Sequence, residues 1–247
     1  MRPRPPEAEA GVNWLLAALP AADRQRVLAQ AEPVELKLTA VLAQAGDRMR
    51  HVYFPTGGFI SQIAMIDEHP GLEVGMVGRE GMLGAHLAWG LPREPLKALV
   101  QGAGPAWRLE CGAFHEALAQ SAALRAVLGR YLYVLMAQRA TSAGCLRYHE
   151  IGPRLARWLL MSQDRAGQSR FHVTQEFMAY MLGVRRVGVT VAAGELQRQG
   201  CIAYHRGEMT VLDRRALQTL ACSCYRADLA AYDDVMAELF EGKPQAA

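Results

Sequence analysis

Between Pro33 and Arg108 the apolar residues come in short runs: Val34–Leu38, His51–Phe54, Phe59–Ile66 and Leu72–Val77. Gly57-Gly58, Pro70-Gly71, Gly78, Gly81, Gly84 and Gly102 punctuate them, and Ala98–Gln101 and Ala106–Leu109 close the region. Short apolar runs between turn residues predict strands, and many of them in succession predict a small antiparallel barrel or sandwich. Ahead of this region, Asn13 can cap a helix over 14–19, and Pro20 opens a second one over 21–31 with Leu28 on its apolar face.

Past Cys111 the period lengthens. Phe114–Leu118 reads as a short helix, and 122–147 reads as a long one, free of Pro and holding only Gly129 and Gly144. Leu124, Leu128, Tyr131 and Leu135 follow one another at intervals of four, three and four, and the seam continues through Gln138, Ser142 and Cys145. Such a stripe packs either on its own domain or on a copy of itself, and heptad-like spacing is what supercoiled pairing uses. The expectation is therefore a dimer built on Leu124, Leu128, Tyr131, Leu135, Gln138 and Ser142. Replacing Leu128 and Leu135 by Ala should then weaken it. The polar end of the seam is where a ligand would bridge two copies.

A further helix starts at Pro153 and runs over 154–166, with Leu155, Trp158 and Leu159 on its apolar face and Gly167 at its end. Then Thr174 caps a helix whose apolar face is Phe177, Met178 and Met181. Gly183 follows, and a second helix runs from Arg185 or Arg186 to about Gln199, with Val189, Ala192, Ala193 and Leu196 inward and Gly200 at its end. Two helices joined by a tight Gly-containing turn are the helix-turn-helix pattern. Cys201–His205 and Glu208–Leu212 then flank Arg206-Gly207 as a hairpin. Helix, turn, helix and hairpin in this order make a winged helix.

In such a motif the second helix enters the major groove with its N-terminal residues at the base edges. Arg185 and Arg186 stand there, able to bond guanine or a phosphate. Val187 and Val191 fall on the outward side, suited to a thymine methyl, with Thr190 between them. Thr174 and Gln175, at a helix start, suit a phosphate, and Arg206 at the hairpin tip suits the DNA backbone.

The run Val173-Thr-Gln-Glu-Phe, Leu182-Gly-Val-Arg-Arg-Val-Gly-Val-Thr, and Leu196-Gln-Arg-Gln-Gly-Cys-Ile resembles the DNA-binding domain of the Crp/Fnr superfamily of regulators. Arg154–Leu160 is similar to the helix before that domain. Phe54-Pro-Thr-Gly-Gly and Val77-Gly-Arg-Glu-Gly-Met-Leu-Gly resemble the cyclic-nucleotide-binding-like barrel of the same superfamily. The resemblance spans about 12–220. It implies an α+β chain with an N-terminal antiparallel β-roll (jelly-roll-like) sensor domain, a long dimerisation helix and a C-terminal winged helix-turn-helix. It also implies a homodimer on a two-fold symmetric operator, with RNA polymerase as a partner and a small-molecule effector as a further one. The barrel departs from cyclic-AMP-binding members. Where they carry a Gly-Glu pair and then an Arg with Ser or Thr, this chain has Gly84-Ala85-His86-Leu87 and then Arg93-Glu94-Pro95-Leu96. Gly81, Gly84, Ala85, His86 and Arg93 mark the candidate ligand pocket, but a cyclic nucleotide is not its expected occupant. An iron–sulfur cluster is not expected either, since the first cysteine is Cys111.

Charge adds to the picture through its placement. Residues 150–220 hold ten Arg against six acidic residues, while 221–247 hold two basic against five acidic residues. A basic excess over the helix-turn-helix suits a polyanion. The five cysteines are scattered, and Cys222-Ser-Cys224 without a second ligand pair is weak for zinc, so neither a disulfide framework nor a metal site is expected. His149 and His172 read as solvated loop residues. No apolar run is long enough for a membrane span, and the start of the chain has no signal-peptide core, so the cytoplasm is the expected location. No nucleophile triad, metal-binding His pair or phosphate loop points to an enzyme. The expected domains are a disordered tip at 1–11, the sensor at 12–120, the dimerisation helix and hinge at 121–149, the winged helix-turn-helix at 150–220 and a helical tail at 221–247. The alternative function is a small-molecule sensor whose DNA-binding domain is only a degenerate output.

Overall fold

The chain is described by a computed structural model over residues 11–67 and 71–240. The tip expected at 1–11, except Gly11, and the last residues of the tail lie outside the described residues.

Helix α1 (Trp14–Ala17) and α2 (Ala21–Ala29) lead into the strands. Asn13 fixes the start of α1 and joins it to the barrel. Its Oδ1 accepts from the amides of Leu15 and Leu16, and its Nδ2 donates to the carbonyls of Pro55 and Gly81 at 2.9 and 2.8 Å. Seven strands follow: β1 (Glu32–Leu36), β2 (Val41–Ala43), β3 (His51–Pro55), β4 (Phe59–Ala64), β5 (Leu72–Val77), β6 (Lys97–Gly102) and β7 (Gly104–Glu110). They form two antiparallel sheets, β1-β7-β3 and β2-β6-β4-β5. A 3-10 helix at Ala85–Trp89 lies between β5 and β6. The three-residue β2 is too short to show a period and is missed by pattern reading.

Helix α3 (Cys111–Gln120) and the 27-residue α4 (Ala122–Tyr148) close the barrel. The core inside joins Val52, Phe54, Ile60, Leu83, Leu109 and Phe114 to Leu124, Leu128, Tyr131 and Leu135 of α4. Those four side chains are the seam expected to pair two copies. They are instead covered by their own chain, none more than 6% exposed. Tyr131 runs so close under Gly81 that a Cβ there would collide with its hydroxyl oxygen. Gln138 and Ser142 are also engaged within the chain: Gln138 Nε2 donates to the Asp228 carbonyl, and Ser142 Oγ accepts from Arg157. The dimer seam read from the sequence is thus an internal one, because the most apolar stripe of α4 is the one the barrel needs as its lid.

The C-terminal part comprises α5 (Ile151–Ala166), β8 (Arg170–His172), α6 (Gln175–Leu182), α7 (Arg186–Arg198), β9 (Ile202–His205), β10 (Glu208–Val211) and α8 (Arg214–Leu220). The strands form a small sheet in the order β8-β10-β9. Leu155, Leu159, Met178, Val189, Leu196, Ile202, Met209 and Leu217 make its core, which is continuous with Phe59, Ile63, Met76 and Leu99 on the outer face of the four-stranded sheet. Strand β4 is therefore buried on both faces, with Ile60 in the first core and Phe59 and Ile63 in the second. Helix α9 (Cys224–Phe240) returns along α4. Tyr232 and Met236 enter the first core, Arg130 donates to the Val235 carbonyl at 2.8 Å, and Arg157 pairs with Asp228 at 2.6 Å.

Candidate nucleic-acid interface

Thr174 precedes α6, and its Oγ1 accepts from the Phe177 amide at 3.1 Å. Gly183 ends α6 at φ 63°, the left-handed region where a side chain is strained. A Cβ there would also meet Leu72 of β5 at 2.6 Å. The turn thus needs glycine for its own geometry and for its approach to the four-stranded sheet. Helix α7 begins beyond Arg185, and its first amides have no side-chain cap, which leaves the donors of the helix N-terminus open to an anion.

Val189, Ala192, Ala193 and Leu196 face inward from α7. Arg185, Arg186, Val187, Thr190 and Val191 face out, with Val187 and Val191 73% and 69% exposed. Two large β-branched side chains turned to solvent on one face are poorly placed for stability and well placed for a partner. Among the described residues no acidic side chain pairs with Arg185, Arg186 or Arg206, so their charges are not neutralised locally. Thr190 Oγ1 donates to Gln175 Oε1 at 2.7 Å, which ties α7 to the start of α6. In the β9–β10 hairpin Arg206 and Gly207 both take positive φ, 49° and 86°. This is the two-residue turn whose twist suits a hairpin, and it lifts Arg206 outward. The residues predicted to read DNA, Thr174, Gln175, Arg185, Arg186, Val187, Thr190, Val191 and Arg206, are all at least partly exposed.

The predicted ligand residues are not gathered around one space. Gly81 and Gly84 are covered by Tyr131 and Val52, and Arg93 turns outward to donate to the Gly46 carbonyl at 2.8 Å. His86 instead faces Glu94, Nδ1 to Oε2 3.6 Å. Burial pushes the Glu94 carboxyl up to about 7, and burial followed by the charge of Arg139 lowers the His86 imidazole. Arg139 Nη2 donates to Gln62 Oε1 at 3.0 Å. Arg139, Gln62 and Glu94 escape motif reading because they come from α4, β4 and a loop.

Glu73 of β5 joins the four-stranded sheet to the C-terminal part of the chain. It accepts from Ser61 Oγ at 2.5 Å and from Trp158 Nε1 of α5 at 2.9 Å. Arg165 and Glu80 pair across the same junction at 2.8 Å. Burial raises the Glu73 carboxyl from its ordinary 4.5 to about 7. The folded chain therefore holds this proton between those values while the unfolded chain releases it, and stability falls as pH rises through about 7. Replacing Glu73 by Gln removes this effect. In thermal unfolding the variant is expected to gain on the wild type steadily from pH 4.5 to above 7. A gap independent of pH would show that Glu73 is ionised throughout.

Cys222 and Cys224 find donors the local sequence lacks. Cys145 Sγ is 3.6 Å from Cys222 Sγ, and His149 Nδ1 is 3.5 Å from Cys224 Sγ. The hydrogen bond between Cys145 and Cys222 holds the first thiol low and the second high. His149 is thus a member of a cluster, not the solvated loop residue its position suggests. His172 is exposed and bonded to Glu208 at 2.9 Å.

Residues 153–220 match the family model of the Crp-like helix-turn-helix domain. No curated protein matches the chain. Among solved structures it is similar to FixK2 from Bradyrhizobium japonicum, at 14% identity and a TM-score of 0.64 over 78% of this chain and 98% of that one. It is also similar to CLP of Xanthomonas campestris, a c-di-GMP responsive global regulator, at 16% identity and a TM-score of 0.62 over 78% and 100%. A CRP-family transcriptional regulator from Thermus thermophilus is 21% identical, with a TM-score of 0.61 over 76% and 96%. Among the described residues no helix is long and apolar enough to cross a membrane.

Proposed function

We propose that this Crp/Fnr-type chain is a transcription regulator that acts as a homodimer on a two-fold symmetric site in double-stranded DNA. The observation that carries the reading is the outward face of α7. It offers two arginines without acidic partners among the described residues and two exposed valines at a helix start, beside a hairpin that presents Arg206. Arg185 and Arg186 reach base edges or phosphates, Val187 and Val191 contact thymine methyl groups, and Thr174, Gln175 and Arg206 hold the backbone.

A second stripe on α4 supports the pairing of two copies. Ala126, Gly129, Tyr133, Met136, Ala140 and Ala143 are all exposed and follow one another at alternating intervals of three and four. This is a heptad seam with small residues around two large anchors, turned away from the barrel. For this reading, pairing along it has to set two α7 helices on one side of the dimer, about 34 Å apart, to match successive major grooves. Signal coupling runs through the junction where Leu72 meets Gly183 and Glu73 meets Trp158, with the Gln62, His86, Glu94 and Arg139 cluster as the place for an effector. The reading implies RNA polymerase as a further partner.

The test is selection of bound duplexes from a random pool by the purified protein, followed by a salt titration on the selected sequence. A two-fold symmetric site whose affinity falls steeply with salt is the expected result. Failure to enrich any sequence, with and without a cell metabolite extract, would overturn the DNA-binding role.

A further inference from the structure

Four donor atoms from separate parts of the chain converge at the hinge between the two halves of the molecule. Cys145 lies in the last turn of α4, and His149 directly follows that helix, four residues on. Cys222 lies between α8 and α9, and Cys224 is the first residue of α9. The three Sγ atoms and one imidazole nitrogen all lie within 4.8 Å of one another. The three thiols are buried, none more than 8% exposed.

The distances select the chemistry. Zinc bonds of about 2.3 Å to sulfur and about 2.0–2.1 Å to nitrogen, set tetrahedrally, place sulfurs about 3.8 Å apart and sulfur and nitrogen about 3.6 Å apart. The Cys145–Cys222 and Cys224–His149 separations are 3.6 and 3.5 Å. A disulfide would need sulfurs about 2.05 Å apart and would leave two of the four donors unused. An iron–sulfur cluster places several metal ions among its thiolates and needs a wider ring than this one. We propose that Cys145, His149, Cys222 and Cys224 form a Cys3His site for a single zinc ion.

Charge agrees with an anionic centre. Three thiolates around a divalent ion leave one net negative charge, and Arg154 and Arg157 of α5 both act electrostatically on Cys145 and Cys222. Arg157 is held in place by Asp228 and Ser142, as the outer partners of a metal site commonly are. With four protein ligands and no open position the site is structural, not catalytic. It ties the end of α4 to the α8–α9 connection across the hinge at 149–150, so the metal fixes the angle at which the sensor helix delivers the DNA-binding domain. Neither a DNA role nor an effector is needed for the site to exist.

The test uses the full chain, purified under reducing conditions, stripped with a chelator and reloaded with zinc(II) or cobalt(II). Elemental analysis after gel filtration is expected to give about one zinc per chain, and cobalt is expected to give the thiolate charge-transfer and intense visible bands of a tetrahedral sulfur-rich site. Cys222→Ser and His149→Ala should each lower the zinc retained against a competing chelator by about tenfold or more. Cys201→Ser, whose thiol lies in the DNA-binding core, should keep the full amount. Reduced wild-type protein that retains no zinc would overturn the site. So would equal retention by the Cys222 and His149 variants, or a cobalt spectrum of the wild type without thiolate charge transfer, a reading that stands even if the variants fail to fold.

Discussion

Replacing Tyr133 and Met136 together by Asp is expected to turn the proposed dimer into a monomer that has lost specific DNA binding. These two side chains are 61% and 59% exposed at the middle of the outward stripe of α4. Burying a large apolar side chain is worth about 1.5–3 kcal/mol, and a symmetric pair buries four of them. Even half of the resulting sum exceeds a hundredfold in the dimer dissociation constant, at about 1.4 kcal/mol per tenfold. Four carboxylates brought together add repulsion. The neighbouring Ala126, Gly129, Ala140 and Ala143 are small enough to let two helices approach closely, so the anchors carry most of the area. Sedimentation equilibrium and binding to the selected duplex read the two effects, and a double variant that remains dimeric would sink the seam. Leu128→Ala is not an equivalent test. That side chain is fully buried in its own barrel, and its loss should cost about 2–5 kcal/mol of fold stability whatever the oligomeric state.

The second large effect is expected at Arg186. Truncation to Ala should cost about 1–3 kcal/mol in each half-site, and a dimer on a symmetric site bears that cost twice. Operator affinity should fall by roughly thirtyfold to ten-thousandfold, at about 1.4 kcal/mol per tenfold. The fold should be unchanged, because Arg186 is exposed and forms no ion pair among the described residues. The pattern of the loss assigns its role. If Arg186 reads a base, discrimination at one position of each half-site relaxes. If it holds a phosphate, all sequences weaken alike, and the salt slope drops by about 0.9 for each phosphate no longer neutralised. Unchanged affinity would remove Arg186 from the interface and with it the proposed orientation of α7.

The helix-turn-helix is legible in the sequence because its signals are local. Gly183 and Gly207 sit where the backbone needs positive φ, Thr174 sits where an amide needs an acceptor, and the inward positions of α7 repeat at the helical period. Apart from the three-residue β2, the strands of the barrel are legible for the same reason, down to the limits of β5 at Leu72 and Val77. The stripe of α4 proposed for pairing is not, because that helix carries two stripes of the same spacing, one through Leu124, Leu128, Tyr131 and Leu135, the other through Ala126, Gly129, Tyr133 and Met136. Spacing alone does not say which stripe meets the chain's own barrel.

What the sequence determined by itself is therefore each element whose reasons lie within a few residues: caps, turns, periods and the basic character of residues 150–220. Tertiary structure decided what depends on residues distant along the chain. It turned the more apolar stripe of α4 inward, because a barrel lid excludes more water than a surface seam does. It also brought Arg139 to Gln62, Glu73 to Trp158, and Cys145 and His149 to Cys222 and Cys224. In each case the partners come from different elements far apart in the chain. Only the packing of whole helices and sheets, driven by burial of their apolar faces, fixes such distances.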